Sequence, residues 1–258
     1  MSGSPSTHAI VRAAVAPMHA EARVSSPQVS QRLGGHLVEI LEVRDEWRRV
    51  RGADGYEGWI HAGYLTPAPP PGARQSAGLQ RISLGCVAGN PAGGHRALPL
   101  GAFLAPEEVV QAGEAIDATE QPHRFPRDVV AIARSAQALF EGTSYQWGGV
   151  TPWGADCSGF VQSVFWLHGV MLPRDAYQQA DASAECHHGL AEIEPAELAF
   201  FSDRPDGAIT HVGVGLGGGR LAHVAVGRGG FAIERLANKG DGYVARLHER
   251  FLFNRRVL

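Results

Sequence analysis

Cys157 is the residue best placed for chemistry. It stands between a glycine-rich approach, Tyr145-Gln146-Trp147-Gly148-Gly149 then Gly154-Ala155-Asp156, and the apolar run Phe160-Val161-Gln162-Ser163-Val164-Phe165-Trp166-Leu167. The run predicts a buried helix, which puts Cys157 at or near its N-terminus. Unpaired backbone N–H groups and the positive end of the helix dipole favour a thiolate there. A second segment, Ile209-Thr210-His211-Val212-Gly213-Val214-Gly215-Leu216 followed by Arg220-Leu221-Ala222-His223-Val224, predicts a β-hairpin with one histidine on each strand. A helix-borne cysteine, a strand-borne histidine and a second polar group to orient it make the papain-type arrangement for acyl chemistry. In this reading Cys157 is the nucleophile, His211 the general base and His223 the orienter.

Competing chemistries are weaker. Cys186-His187-His188 could ligate zinc, but adjacent residues point apart and no second pair stands at a ligand spacing. The segment reads as a surface loop, and no metal or other cofactor is expected. Gly217-Gly218-Gly219 reads as a turn between strands, since no Lys-Ser/Thr or following helix accompanies it.

The elements that must carry these groups read as follows. Residues 128–140 predict a helix with Val129, Ile132, Ala133, Ala136 and Leu139 on one stripe, ended by Gly142. A short helix is expected from Asp175, a strand at 198–202, and further strands at 211–216, 220–226, 230–236 and 243–246. Helices followed by an antiparallel sheet indicate an α+β domain. Towards the N-terminus, residues 8–66 are strand-rich, with Asp54-Gly55 as a hairpin turn, and suggest a small barrel. Thr66-Pro67-Ala68-Pro69-Pro70-Pro71-Gly72 reads as a stiff linker. Residues 81–87 and 97–104 predict a second, shorter β segment. The expected organisation is a barrel at 8–67, a linker at 68–77, a second, degenerate barrel at 78–118 and a chemistry-bearing domain at 122–258.

Composition bounds the function. The 258 residues are 44% hydrophobic with a net charge of -3, which gives no sign of nucleic-acid binding. No run is long enough to span a membrane. The first residues lack a basic region followed by an apolar one, so the segment at 9–16 reads as a strand rather than a signal. Three cysteines, Cys86, Cys157 and Cys186, are an odd count that suits a reducing compartment, and a cytoplasmic location is the expectation.

Tyr145, Trp147-Gly148-Gly149, Asp156-Cys157-Ser158-Gly159-Phe160, Pro173-Arg174-Asp175, Phe200-Phe201, Thr210-His211-Val212-Gly213 and His223 together resemble the NlpC/P60 family of cysteine peptidases. The resemblance covers roughly residues 122–258; the N-terminal half is similar, less sharply, to bacterial SH3 (SH3b) domains. The combination resembles γ-D-glutamyl-L-diamino-acid endopeptidases, which implies a papain-like α+β domain behind one or two SH3b-type barrels. It also implies cleavage of murein peptides with a free N-terminal L-Ala during cell-wall recycling. By resemblance, Tyr145 helps hold the oxyanion. Asp156, Ser158, Arg174 and Asp175 line the substrate cleft, and Glu21 and Tyr56 hold the substrate ammonium. Ala176 stands where the family typically has serine. The alternatives are an amidase or acyltransferase on the same core, or a wall-binding SH3b protein with an inactive peptidase domain. The following diamino acid and the oligomeric state are not legible.

Overall fold

The computed structural model describes residues 7–68, 80–91 and 93–258. Most of the expected linker, 69–77, and the first two residues of the expected second barrel lie outside them. The chain divides into two compact units, residues 1–120 and 121–258.

The first unit contains β1 (His8–Val11), β2 (Val15–His19), β3 (Gln28–Leu33), β4 (Leu37–Arg44), β5 (Trp47–Arg51), β6 (Glu57–His61) and β7 (Leu65–Ala68). They form one antiparallel sheet in the order β3-β2-β6-β5-β4-β1-β7. Alternating residues bury Ala9, Val11, Ala16, Met18, Val38, Val50 and Ile60 in a single core. The expected turn at Asp54-Gly55 is present: Gly55 takes φ +77°. Asp54 is fixed by a buried ion pair with Arg32 at 2.7 Å. The segment 9–16 is not one strand, because the chain turns between β1 and β2. A separate three-stranded sheet follows, β8 (Arg81–Gly89), β9 (His95–Leu98) and β10 (Val109–Asp117), in the order β10-β8-β9. The strand expected at 97–104 ends at Leu98, and the chain turns at Gly101, φ +85°.

The second unit opens with α1 (Gln121–Arg124) and α2 (Val129–Ala138), whose N-cap Asp128 accepts hydrogen bonds from the Val130 and Ala131 N–H groups. Ile132, Ala133 and Ala136 of the expected stripe are buried; Val129 at its start is exposed. A two-stranded ribbon, β11 (Val150–Thr151) and β12 (Gly154–Ala155), leads into α3 (Cys157–Leu167) and then α4 (Ala176–Asp181). The remaining strands are β13 (Ala184–Glu185), β14 (Leu198–Phe201), β15 (His211–Gly217), β16 (Arg220–Ala225), β17 (Gly230–Arg235) and, after α5 (Gly242–Arg250), β18 (Phe251–Arg256). Their order is β13-β18-β14-β15-β16-β17, and α2 and α3 pack against β15. Phe160 of α3 is fully buried, edge-on to Phe140 at 5.1 Å and Phe231 at 5.8 Å. Burial of each such ring contributes about 2–3 kcal/mol and fixes the helix that carries Cys157.

The strand expected at 243–246 is instead part of α5. Asp241 caps it by accepting from the Tyr243 and Val244 N–H groups at 2.7 and 3.3 Å, and Val244 and Leu247 are buried at helical spacing. No helix among the described residues is long and apolar enough to cross a membrane.

Candidate active site

Cys157 is the first residue of α3, as its sequence setting suggests. The turn that presents it is built by Asp156, the N-cap. One carboxylate oxygen accepts from the Gly159 N–H at 2.7 Å and the other from the Gly148 N–H at 2.8 Å. The helix start also demands close backbone approach. A Cβ on Gly159 would lie 2.1 Å from the Gly149 carbonyl oxygen, and one on Gly149 2.3 Å from that of Gly154. Both glycines are therefore sterically required.

Arg174 locks this turn from below. It is buried and donates to both oxygens of Asp156, at 3.0 and 2.7 Å, and to the Ser158 hydroxyl at 2.8 Å. Ser158 in turn donates to Asp156 at 3.3 Å. The structure thus brings three of the expected cleft residues, Asp156, Ser158 and Arg174, into one buried network behind the nucleophile. Asp175 is only partly buried and stands as N-cap of α4, its N–H donating to the Gln178 side chain at 3.4 Å. Ala176 is the first residue of that helix.

The strands supply the base. Val214 pairs with Ala222, so Gly213 lies opposite His223, and His211 is on the same face two residues away. The two rings meet through His211 Nε2 and His223 Nδ1 at 2.8 Å. His211 also sits against the Phe201 ring at 5.6 Å, while His223 is completely buried. The Val212 and Ser158 N–H groups point at the Cys157 sulfur, which places the thiol beside the residue following His211.

The electrostatics change one expectation. Burial first, then the Asp156 charge, pushes the Cys157 thiol up to about 12, against the opposing pull of the two N–H groups and Arg174. Burial, with the charges of His223 and Arg250, holds the His211 pKa well below its ordinary value. The resting pair is therefore an uncharged thiol and imidazole, not the thiolate that helix position alone suggests. Tyr145 is held near the sulfur by a parallel bridge to Ala155 and by its N–H bond to Gly229 at 3.0 Å. Burial, followed by the charges of Cys157 and Asp156, raises its phenol pKa, so the hydroxyl keeps its proton.

Four residues behind the histidines escape a sequence reading. His223 Nε2 is 3.2 Å from Glu234, which is gripped by both arms of Arg228 at 2.7 and 2.9 Å. Arg228 also donates to Asp241 at 2.9 Å and lies over the Tyr243 ring at 4.5 Å. The only sequence signal for them is the i, i+2 spacing that puts Glu234 on one face of its strand.

Glu21 and Tyr56 belong to the first unit. Glu21 makes an exposed ion pair with Arg23 at 3.0 Å, and Tyr56 packs against the sheet core.

A second group of metal-type ligands exists among the described residues: Cys186, His188 and Glu197. Glu197 completes a cluster that the Cys186-His187-His188 triplet did not reveal. It already accepts from the Glu194 N–H at 2.9 Å and from Arg256 at 2.8 Å, with His188 3.0 Å away. Arg256 offsets its charge, and this ion pair and the Glu194 N–H bond hold the carboxylate in place.

Comparison with known proteins agrees with this architecture. Residues 142–247 match the NlpC/P60 family and residues 14–66 the bacterial SH3 domain. A γ-D-glutamyl-L-lysine dipeptidyl-peptidase of Bacillus subtilis is 35% identical over 116 residues, covering 45% of this chain and 37% of that protein. The bifunctional muramidase/DL-endopeptidase CwlT of the same organism is 34% identical over 117 residues, covering 45% of this chain and 35% of that one. The chain thus spans little more than a third of the length of these relatives. The crystal structure of an NlpC/P60 family protein from Bacillus cereus superposes with a TM-score of 0.80 over 97% of this chain and 99% of its own, at 18% identity. Residues 142–247 thus match the NlpC/P60 family, residues 14–66 ahead of them match the bacterial SH3 domain, and the fold is that of an NlpC/P60 protein.

Proposed function

We propose that this chain is a cysteine endopeptidase that cleaves the γ-D-Glu–diamino-acid bond of murein peptides bearing a free N-terminal L-Ala, in the recycling of cell-wall fragments within a reducing compartment. The observation that carries the reading is Cys157 at the start of α3 with the Val212 N–H on its sulfur, next in sequence to His211, which meets His223 at 2.8 Å. The names of the two Bacillus subtilis relatives, one specifying a γ-D-glutamyl-L-lysine bond and the other a DL-endopeptidase, support the choice of bond.

In this mechanism neutral His211 takes the Cys157 proton as sulfur attacks the γ-carbonyl carbon. The oxyanion forms opposite the Cys157 backbone N–H and the protonated Tyr145 hydroxyl. Donors so placed are worth about 3 kcal/mol each at the transition state. The imidazolium then gives its proton to the leaving amine, and a thioester remains. Water, deprotonated by His211, attacks the thioester, and protonation of sulfur releases L-Ala-γ-D-Glu. Asp156, Ser158 and Arg174 act by holding Cys157 in place, Asp175 faces substrate, and Glu21 and Tyr56 read the free ammonium.

Mass spectrometry of products from synthetic muropeptides tests this. L-Ala-γ-D-Glu should appear from free-amine substrates, whichever diamino acid follows, and EDTA should have no effect. Equal kcat/KM for free and N-acetylated L-Ala-γ-D-Glu-diaminopimelate would remove Glu21 and Tyr56 from the proposal. Absence of cleavage at the γ-D-Glu bond would overturn it.

A further inference from the structure

We propose that Glu234, clamped by Arg228, is a positioning residue for the catalytic base: it holds His223 in the tautomer that leaves His211 Nδ1 as the proton acceptor. The inference rests on the cysteine-nucleophile reading of the site.

The argument starts from strand register. His223 lies opposite Ala232, and Leu221 opposite Glu234. Glu234 is therefore on the same face as His223, one step along the diagonal, as His211 is on the other side. Three neighbouring strands present His211, His223 and Glu234 in a row. Glu234 and His223 are buried, so an unmatched polar atom in this row would be costly.

Hydrogen-bond direction follows from the carboxylate. Burial alone would raise the Glu234 pKa, but hydrogen bonds and charge from His223 and Arg228 bring it down to about 2. An ionised carboxylate only accepts, so His223 Nε2, 3.2 Å away, carries the proton. Arg228 holds both Glu234 oxygens through two bonds and so fixes the carboxylate against His223 Nε2, leaving His223 Nδ1 as the acceptor. The 2.8 Å contact must then be a donation from His211 Nε2. His211 Nδ1 is left bare, and it is the ring nitrogen available to the Cys157 proton. Had Glu234 been absent, His223 could carry its proton on either nitrogen, and one choice turns His211 into the wrong tautomer.

The other charged or titratable groups around the row are Cys157 from α3, Arg250 at the end of α5, which acts on His211, and Tyr243 of α5, 5.7 Å from the His223 ring. Asp241, the N-cap of α5, holds Arg228 at 2.9 Å.

Two variants and two readouts test the proposal. The readouts are kcat and KM on L-Ala-γ-D-Glu-diaminopimelate, and the pH profile of iodoacetamide alkylation at Cys157, with Cys86 and Cys186 as internal references. Glu234→Gln, whose amide can face His223 with either a donor or an acceptor, should lower kcat by roughly 10- to 100-fold with KM within about twofold. Its alkylation should slow near neutrality without an upward move of the acid limb. Arg228→Gln should do the opposite to the pH profile. It leaves the Glu234 charge to favour imidazolium at His223, and so should raise the acid limb by about one pH unit.

A folded Glu234→Gln protein with parental kcat and a parental alkylation profile would overturn the proposal. If Glu234→Gln fails to fold, Arg228→Gln decides alone, and an unmoved acid limb rejects the positioning role. If the parent cleaves no murein peptide, the functional reading fails, while the alkylation profiles still judge Glu234.

Discussion

The second unit contains two clusters built from the same three residue types, and only one is built for catalysis. Around Cys157 the carboxylate of Glu234 is two imidazoles removed from the sulfur, and the rings between them form a directed row. Around Cys186 the carboxylate of Glu197 touches the sulfur directly, at 3.4 Å. Burial, then the Glu197 contact, raises that thiol, and no imidazole stands between the two to take its proton away usefully. Both thiols are pushed up, so elevation does not separate them. What separates them is the neighbouring group: Cys157 receives N–H donors from Ser158 and from Val212, the residue after His211, whereas Cys186 touches an anion already paired with Arg256. Residue type is common to both; direction of hydrogen bonding is not.

The comparison breaks most sharply by removing sulfur. Cys157→Ala should abolish turnover, by about 10⁴-fold or more, with the fold intact, whereas Cys186→Ala should leave steady-state rates within about twofold. His211→Ala should come close to Cys157→Ala, because the uncharged thiol then has no proton acceptor. His223→Ala should be milder, roughly 10- to 100-fold in kcat, since orientation is only part of what the base needs. A His223→Ala enzyme with parental kcat would remove the orienter assignment.

The pH profile sharpens the same contrast. His211 must be neutral to act, and its pKa is held well below 6.5. The acid limb of kcat/KM should therefore lie below pH 6.5, with activity retained as pH falls through the ordinary histidine range. A limb centred at or above 6.5 would mean that the ring is not as desolvated as its burial implies. The smallest effect belongs to the other cluster. Glu197→Gln should cost about 1–3 kcal/mol of stability, read from denaturant unfolding, because it leaves Arg256 and the Cys186 thiol without their anion. Activity at temperatures below its unfolding should be unchanged.

What the sequence made legible follows from how local each feature is. Asp156 capping its own helix, the glycines that let the backbone close around it, and the two histidines on adjacent strands of one hairpin are all encoded within short stretches. The arginine–aspartate network was only half visible. Arg174 follows α3 as expected, but that it grips Asp156 and Ser158 depends on how the chain returns after the helix. Glu234 and Arg228 were invisible, because their contact with His223 comes from β16–β17 register. The supporting helix α5 was misread as a strand because four residues, 243–246, carry too little periodicity. The signal that could have corrected this was Asp241 followed by Val244 and Leu247, a cap ahead of an i, i+3 pair.

The central claim is that Cys157, activated by His211, forms the bond to substrate. The most direct measurement is intact-protein mass spectrometry of enzyme quenched during turnover of L-Ala-γ-D-Glu-diaminopimelate, with Cys157→Ala run in parallel. The account predicts one L-Ala-γ-D-Glu adduct on the parent protein, placed on the peptide containing Cys157 after digestion, free diaminopimelate released with it, and neither adduct nor product from Cys157→Ala. Continued release of L-Ala-γ-D-Glu by Cys157→Ala would contradict it.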